Sequence, residues 1–106
     1  MSDKIILFGD EIGLSLIKQA LPELRPAGVV YSFRRPQALI VAGSWEGDNC
    51  LVMEQPSARD PQTYQSFLQR LNTLQPELGL CCSYDLIFDR QIMDLFQERG
   101  RSYKLI

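Results

Sequence analysis

The chain has 106 residues, 45% of them hydrophobic, enough for one small domain that buries a core without metal or disulfide staples. Its 11 basic and 13 acidic residues are intermixed and leave a net charge of −2, so no field draws in nucleic acid or an anionic membrane. No apolar run approaches the roughly 20 residues of a membrane span, and Met1-Ser-Asp-Lys4 lacks the basic start and apolar run of a signal peptide, which predicts a cytoplasmic protein.

In chain order, Ile5-Ile-Leu-Phe8 reads as a buried strand that Gly9-Asp10 stops before a helix. That helix spans residues 11–21, with Ile12, Leu14, Leu16, Ile17, Ala20 and Leu21 as a broad apolar face and Pro22 ending it. Gly28-Val-Val-Tyr31 is the second strand. Residues 36–43 fit either a buried helix begun by Pro36 or another strand, and the helix is favoured. Trp45-Glu-Gly-Asp-Asn49 is turn chemistry, followed by a strand at Cys50-Leu-Val-Met53 that Pro56 ends.

Asp60-Pro61 supplies an N-cap and a first-turn proline, and Tyr64, Phe67, Leu68, Leu71 and Leu74 then recur at helical spacing. Residues 78–82 form the next strand, and residues 89–98 a helix with Ile92, Met93, Leu95 and Phe96 inward and Gly100 as its stop. Residues 102–106 read as a final strand. Strands alternating with helices require parallel pairing through right-handed crossovers, which gives a three-layer α/β sheet in one domain over residues 1–106. Cys50, Cys81 and Cys82 are odd in number, and neighbours on a strand point to opposite faces, so they are expected as free, buried thiols. With no histidine in the chain, a metal site is not expected.

Ligands of open parallel sheets bind outside the carboxyl ends of the strands, where strand order reverses. That rule selects three loops. Phe8-Gly-Asp-Glu-Ile-Gly13 offers two glycines and a helix N-terminus, either an anion cradle or a helix cap, and Asp10 and Glu11 would repel a phosphate. Tyr31-Ser-Phe-Arg-Arg-Pro36 carries paired arginines, either solvated or able to hold a phosphate or carboxylate. Ser83-Tyr-Asp-Leu-Ile-Phe88 places Leu86, Ile87 and Phe88 just before a helix, where they either line a slot for a flat ring or fold back into the core.

The succession of a strand, a Phe-Gly-x-x-x-Gly-Leu helix start, a Val-Val strand and Arg59-Asp-Pro61 at the next helix start resembles the formyltransferase family. So do Leu74-Gln-Pro-Glu-Leu-Gly-Leu80 and Tyr84 with Leu-Ile-Phe before a helix. The family includes methionyl-tRNA formyltransferase, whose N-terminal domain is the form resembled here, glycinamide ribonucleotide formyltransferase and the sugar N-formyltransferases. The similarity runs over residues 4–100. It implies a Rossmann-like, mostly parallel sheet with helices on both faces, and 10-formyltetrahydrofolate as cofactor.

By position, the resemblance puts Tyr84, Asp85, Leu86, Ile87 and Phe88 around the pterin ring, and Gly9, Asp10, Glu11 and Gly13 on the acceptor side. The family's catalytic asparagine and histidine lie at the end of the next strand, with an aspartate further on. Gly100-Arg-Ser-Tyr-Lys-Leu-Ile106 contains neither, so no catalytic residue is expected in these 106 residues and no transfer by them alone. An isolated domain of a longer enzyme, a gene remnant and a chain with an altered tail all fit. The partners implied are a folate-type small molecule, and either the remainder of the enzyme or a second copy, with no membrane and no direct nucleic-acid contact.

Two other readings stand beside this one. Asp10-Glu11 after the first strand and Lys104 on the last resemble the acidic pair and lysine of receiver domains, although Glu54 occupies the place of their phosphorylated aspartate. The remaining reading is a small α/β module that buries a face against a protein partner.

Overall fold

Short runs of apolar residues become strands here because both faces of the sheet are covered, so each strand is hydrophobic without strict alternation. The computed structural model describes residues 4–47, 49–86, 90–97 and 104–105. Within them lie β1 (Ile5–Gly9), β2 (Gly28–Ser32), β3 (Leu51–Gln55), β4 (Leu78–Cys82) and β5 (Lys104–Leu105), all parallel, in the order β3-β2-β1-β4-β5. The helices are α1 (Glu11–Ala20), α2 (Ala38–Ala42), α3 (Pro61–Thr73) and α4 (Arg90–Gln97), and a 3-10 turn, Gly43–Trp45, extends α2.

Alternate strand residues feed two cores. Leu7, Val29 and Tyr31 pack with Leu14 and Ile17 of α1 and Ala38 and Ala42 of α2 on one face. On the other face Ile6, Phe8, Val30, Met53 and Cys81 pack under α3 and α4, which contribute Phe67, Leu71, Ile92 and Phe96. The three-layer Rossmann-like architecture is therefore as expected. The order β3-β2-β1-β4-β5 is that of the dinucleotide-binding folds. It differs from the 2-1-3-4-5 order of the other common doubly wound sheets.

The same alternation sends Cys81 into the α3/α4 core and Cys82 towards the α1/α2 core, so the neighbouring thiols cannot meet. Burial pushes the Cys81 thiol up to about 12 and raises that of Cys50, with Glu46 adding to the shift at Cys50.

Several boundaries differ from those read in the sequence. β2 and β3 run on to Ser32 and Gln55, because parallel pairing of Tyr31 with Glu54 and of Ser32 with Gln55 continues the ladder beyond the apolar run. The ambiguous residues 36–43 are helical, but α2 starts at Ala38 rather than at the proline. A turn comes first, with the Ala38 amide donating to the Arg35 carbonyl (2.9 Å) and that of Leu39 to Pro36 (3.1 Å).

α3 begins as its cap predicts. Asp60 Oδ1 accepts from the Thr63 amide (3.3 Å), Oδ2 accepts from the Thr63 hydroxyl (2.7 Å), and Pro61 opens the helix. Hydrogen bonding to Thr63 holds the Asp60 carboxyl below its usual value. The expected ends of α4 at Asp89, Glu98 and Gly100 lie outside the described residues. The inward face of α1 is narrower than its composition implies. Gly13, Leu14 and Ile17 are buried, whereas Ile12, Leu16 and Leu21 are exposed.

Candidate functional site

Strand order reverses between β1 and β4, so the loops that follow Gly9 and Cys82 flank the crevice where this architecture binds ligands. The first loop is drawn tight. Asp10 caps α1 by accepting from the Gly13 amide through Oδ1 (2.7 Å), and its own amide donates to the Ser83 carbonyl (3.1 Å). Ser83 returns a hydroxyl hydrogen bond to Asp10 Oδ2 (2.9 Å).

Gly13 sits directly on β4. A Cβ there would lie 1.8 Å from the Cys82 carbonyl oxygen, so only glycine lets the helix approach this closely. Asp10 thus forms the helix cap that this loop's sequence allows.

Glu11 does not stand free as a charge at the helix start. Arg35 Nε and Nη2 both donate to its carboxylate, which closes the first loop onto the β2–α2 loop. That hydrogen-bonded guanidinium holds the Glu11 carboxyl below its ordinary value and raises Arg35 in turn. The paired arginines therefore divide. Arg35 is engaged by Glu11, whereas the Arg34 guanidinium lies 5.7 Å from the Phe33 ring centroid and its amide donates to Ser32 Oγ (3.0 Å).

The segment after β4 runs back across the carboxyl ends of three strands. Ser83 takes a left-handed backbone (φ 55°), and this turn directs the chain towards β2 and β3. Ser32 Oγ at the end of β2 donates to Asp85 Oδ2 (3.2 Å), and the Tyr84 hydroxyl donates to Gln55 Oε1 at the end of β3. The Tyr84 ring packs edge-on against Phe8, with centroids 5.6 Å apart, and joins the α3/α4 core. Burial pushes its phenol well above the ordinary tyrosine value, with Asp85 adding to the shift.

The structure thus brings Gly9, Asp10, Glu11, Gly13, Tyr84 and Asp85 together around the crevice, with Leu86 half-buried beside them. Ile87 and Phe88 lie outside the described residues. Ser32 and Ser83 fall within loops the sequence selects, although their tethering hydrogen bonds were not foreseen, and Gln55 was missed altogether. Ser32 and Gln55 are 1% and 3% exposed, too buried to be mere strand terminators.

Among the described residues no group of acidic, cysteine or histidine side chains is placed to hold a metal ion, and no helix is long and apolar enough to cross a membrane. Carboxylates occupy the N-terminus of α1, which disfavours a phosphate there.

No family model matches the sequence, and no curated protein matches it. Among solved structures, the chain is similar to the crystal structure of phosphoribosylglycinamide formyltransferase from Streptococcus pneumoniae TIGR4. That likeness has a TM-score of 0.62 at 17% sequence identity and covers 92% of this chain and 54% of that one. The chain spans about half the length of this neighbour, and what the two share is the fold. The formyltransferase side of the resemblance is thereby supported in fold. Its methionyl-tRNA-specific form is not.

Proposed function

We propose that this chain is a formyltransferase-like domain that holds a folate-type formyl donor, 10-formyltetrahydrofolate, at the crevice between β1 and β4 and does not carry out the transfer alone. The observation that carries this reading is the fold, a parallel β3-β2-β1-β4-β5 sheet shared with a phosphoribosylglycinamide formyltransferase over 92% of this chain. In this reading the backbone of residues 84–88, with Leu86, Ile87 and Phe88, takes the pterin ring. Gly9, Asp10, Glu11 and Gly13 border the acceptor. Asp10 favours an acceptor that is neutral or cationic where it meets α1, since its carboxylate occupies that helix N-terminus while the charge of Glu11 is paired with Arg35.

The test is a titration of the isotope-labelled protein with a folate analogue. Amide resonances of residues 83–86 shift on binding, and an unchanged spectrum at millimolar ligand overturns the proposal. A parallel assay with 10-formyltetrahydrofolate and a primary amine is expected to show no transfer above the uncatalysed rate.

A further inference from the structure

The two helical layers present different surfaces to solvent. α3 exposes Gln62, Gln65, Ser66 and Gln69, whereas α1 and α2, side by side on the opposite face, expose Ile12 (59%), Leu16 (52%), Leu39 (46%) and Ile40 (83%). The charges on these two helices are already engaged. Glu11 and Lys18 are the only charged residues of α1, and α2 has none. Glu11 is bound by Arg35, and the Lys18 ammonium lies 4.4 Å from the Trp45 ring centroid.

We propose that the outer surface of α1 and α2 is the interface of a two-fold symmetric homodimer. An isologous interface must complement itself, and a surface whose charges are internally paired meets its own copy without repulsion. A partner recognised by charge would find little to read there. A two-fold axis across this surface sets the adjoining α1 and α2 of one copy against those of the other. The four aliphatic side chains expose on the order of 400–500 Å², within the range of the largest apolar patch on a typical monomer and about half of the ~800 Å² that each partner of a standard interface buries. Ser15, Gln19 and Gln37, exposed or half-buried around them, supply a polar rim.

This proposal does not rest on folate binding. Sedimentation equilibrium of the full chain from micromolar to millimolar concentration is expected to approach twice the chain mass of 12.1 kDa and stop there. Ile40→Glu and Leu16→Glu are each expected to weaken self-association at least tenfold, while Gln69→Glu on α3 leaves it unchanged. Circular dichroism checks that the variants fold, and Ile40→Gln and Leu16→Gln serve where a glutamate variant does not. On dilution of the unsubstituted protein, amide shifts are expected to change in α1 and α2. A monomer throughout, a mass that grows past two chains, association that survives both substitutions, or dilution shifts confined to other elements would each overturn the proposal.

Discussion

Asp10 and Ser83 hold each other through two hydrogen bonds, the Asp10 amide donating to the Ser83 carbonyl (3.1 Å) and the Ser83 hydroxyl donating to Asp10 Oδ2 (2.9 Å). The other carboxylate oxygen caps α1 at the Gly13 amide. One aspartate therefore joins the two loops of the crevice and starts a helix.

Asp10→Ala removes the cap and the tie to Ser83 together, and a loss of about 1–2 kcal/mol is expected in urea unfolding. Asp10→Asn keeps a carbonyl oxygen for the cap and is expected to lose less. Equal losses in the two variants would show that charge, rather than hydrogen bonding, carries the interaction.

Gly13→Ala drives a methyl group into the Cys82 carbonyl, which belongs to the backbone of a central strand and cannot swing aside. Destabilisation of at least ~1–3 kcal/mol is expected, the usual cost of overpacking. Gly43→Ala is the contrast. That residue is helical (φ −61°) with open space at its Cβ, so a gain of about 0.4–1 kcal/mol is expected. Thermal unfolding of the two variants distinguishes a steric requirement from general intolerance of the substitution.

Tyr84→Phe leaves the ring packed on Phe8 but removes the donor to Gln55, a side chain that is 3% exposed. The expected cost is about 1–3 kcal/mol, most of it from the stranded Gln55 oxygen. The companion variant Gln55→Leu in the Tyr84→Phe background should recover part of that loss, which a double-mutant cycle measures.

Cys81 has its ordinary thiol value of 9.0 pushed up to about 12 in the folded protein, because burial disfavours the thiolate. A raised folded value means that its contribution to stability is complete below pH 9 and is lost as the pH rises towards 12. At pH 8 iodoacetamide is expected to leave Cys81 unmodified until the protein unfolds, whereas Cys50 and Cys82, both half-buried, modify first. Mass spectrometry after brief labelling reads the order, and early labelling of Cys81 would contradict its burial.

Glu11 titrates below its ordinary value of 4.5 because Arg35 donates to it. Its lowered folded value means that the Arg35 bridge stabilises fully above the unfolded value and is lost as the pH falls through the folded one. Glu11→Gln should flatten the acid limb of the stability curve, as should Arg35→Gln. The two changes combined should do no more than either alone.

The elements were legible in the sequence where local chemistry and burial agree. Asp60 and Pro61 start α3 as their types dictate, and Leu78–Cys82 is a strand over the residues expected. α1 shows the limit of such reading, since Ile12 and Leu16 belong to an apolar helix yet face solvent. Periodicity reports which residues are apolar, not which of them a sheet covers. The roles of Ser32 and Gln55 were hidden for a related reason. Each is a polar residue at a strand end and looks like a terminator until the chain after β4 returns to it from 53 and 29 residues away, respectively.

By itself, the sequence determined a parallel α/β fold, the opposed faces of Cys81 and Cys82, and the three loops at the carboxyl ends of the strands, because these follow from local periodicity, turn chemistry and crossover handedness. Tertiary structure alone decided the strand order, the crossing of residues 83–85 over β1, β2 and β3, the pairing of Glu11 with Arg35, and the exposure of Ile40. Those depend on which distant segments come to lie side by side. That is settled by the packing of the whole sheet between its two helical layers, a quantity no short window of residues contains.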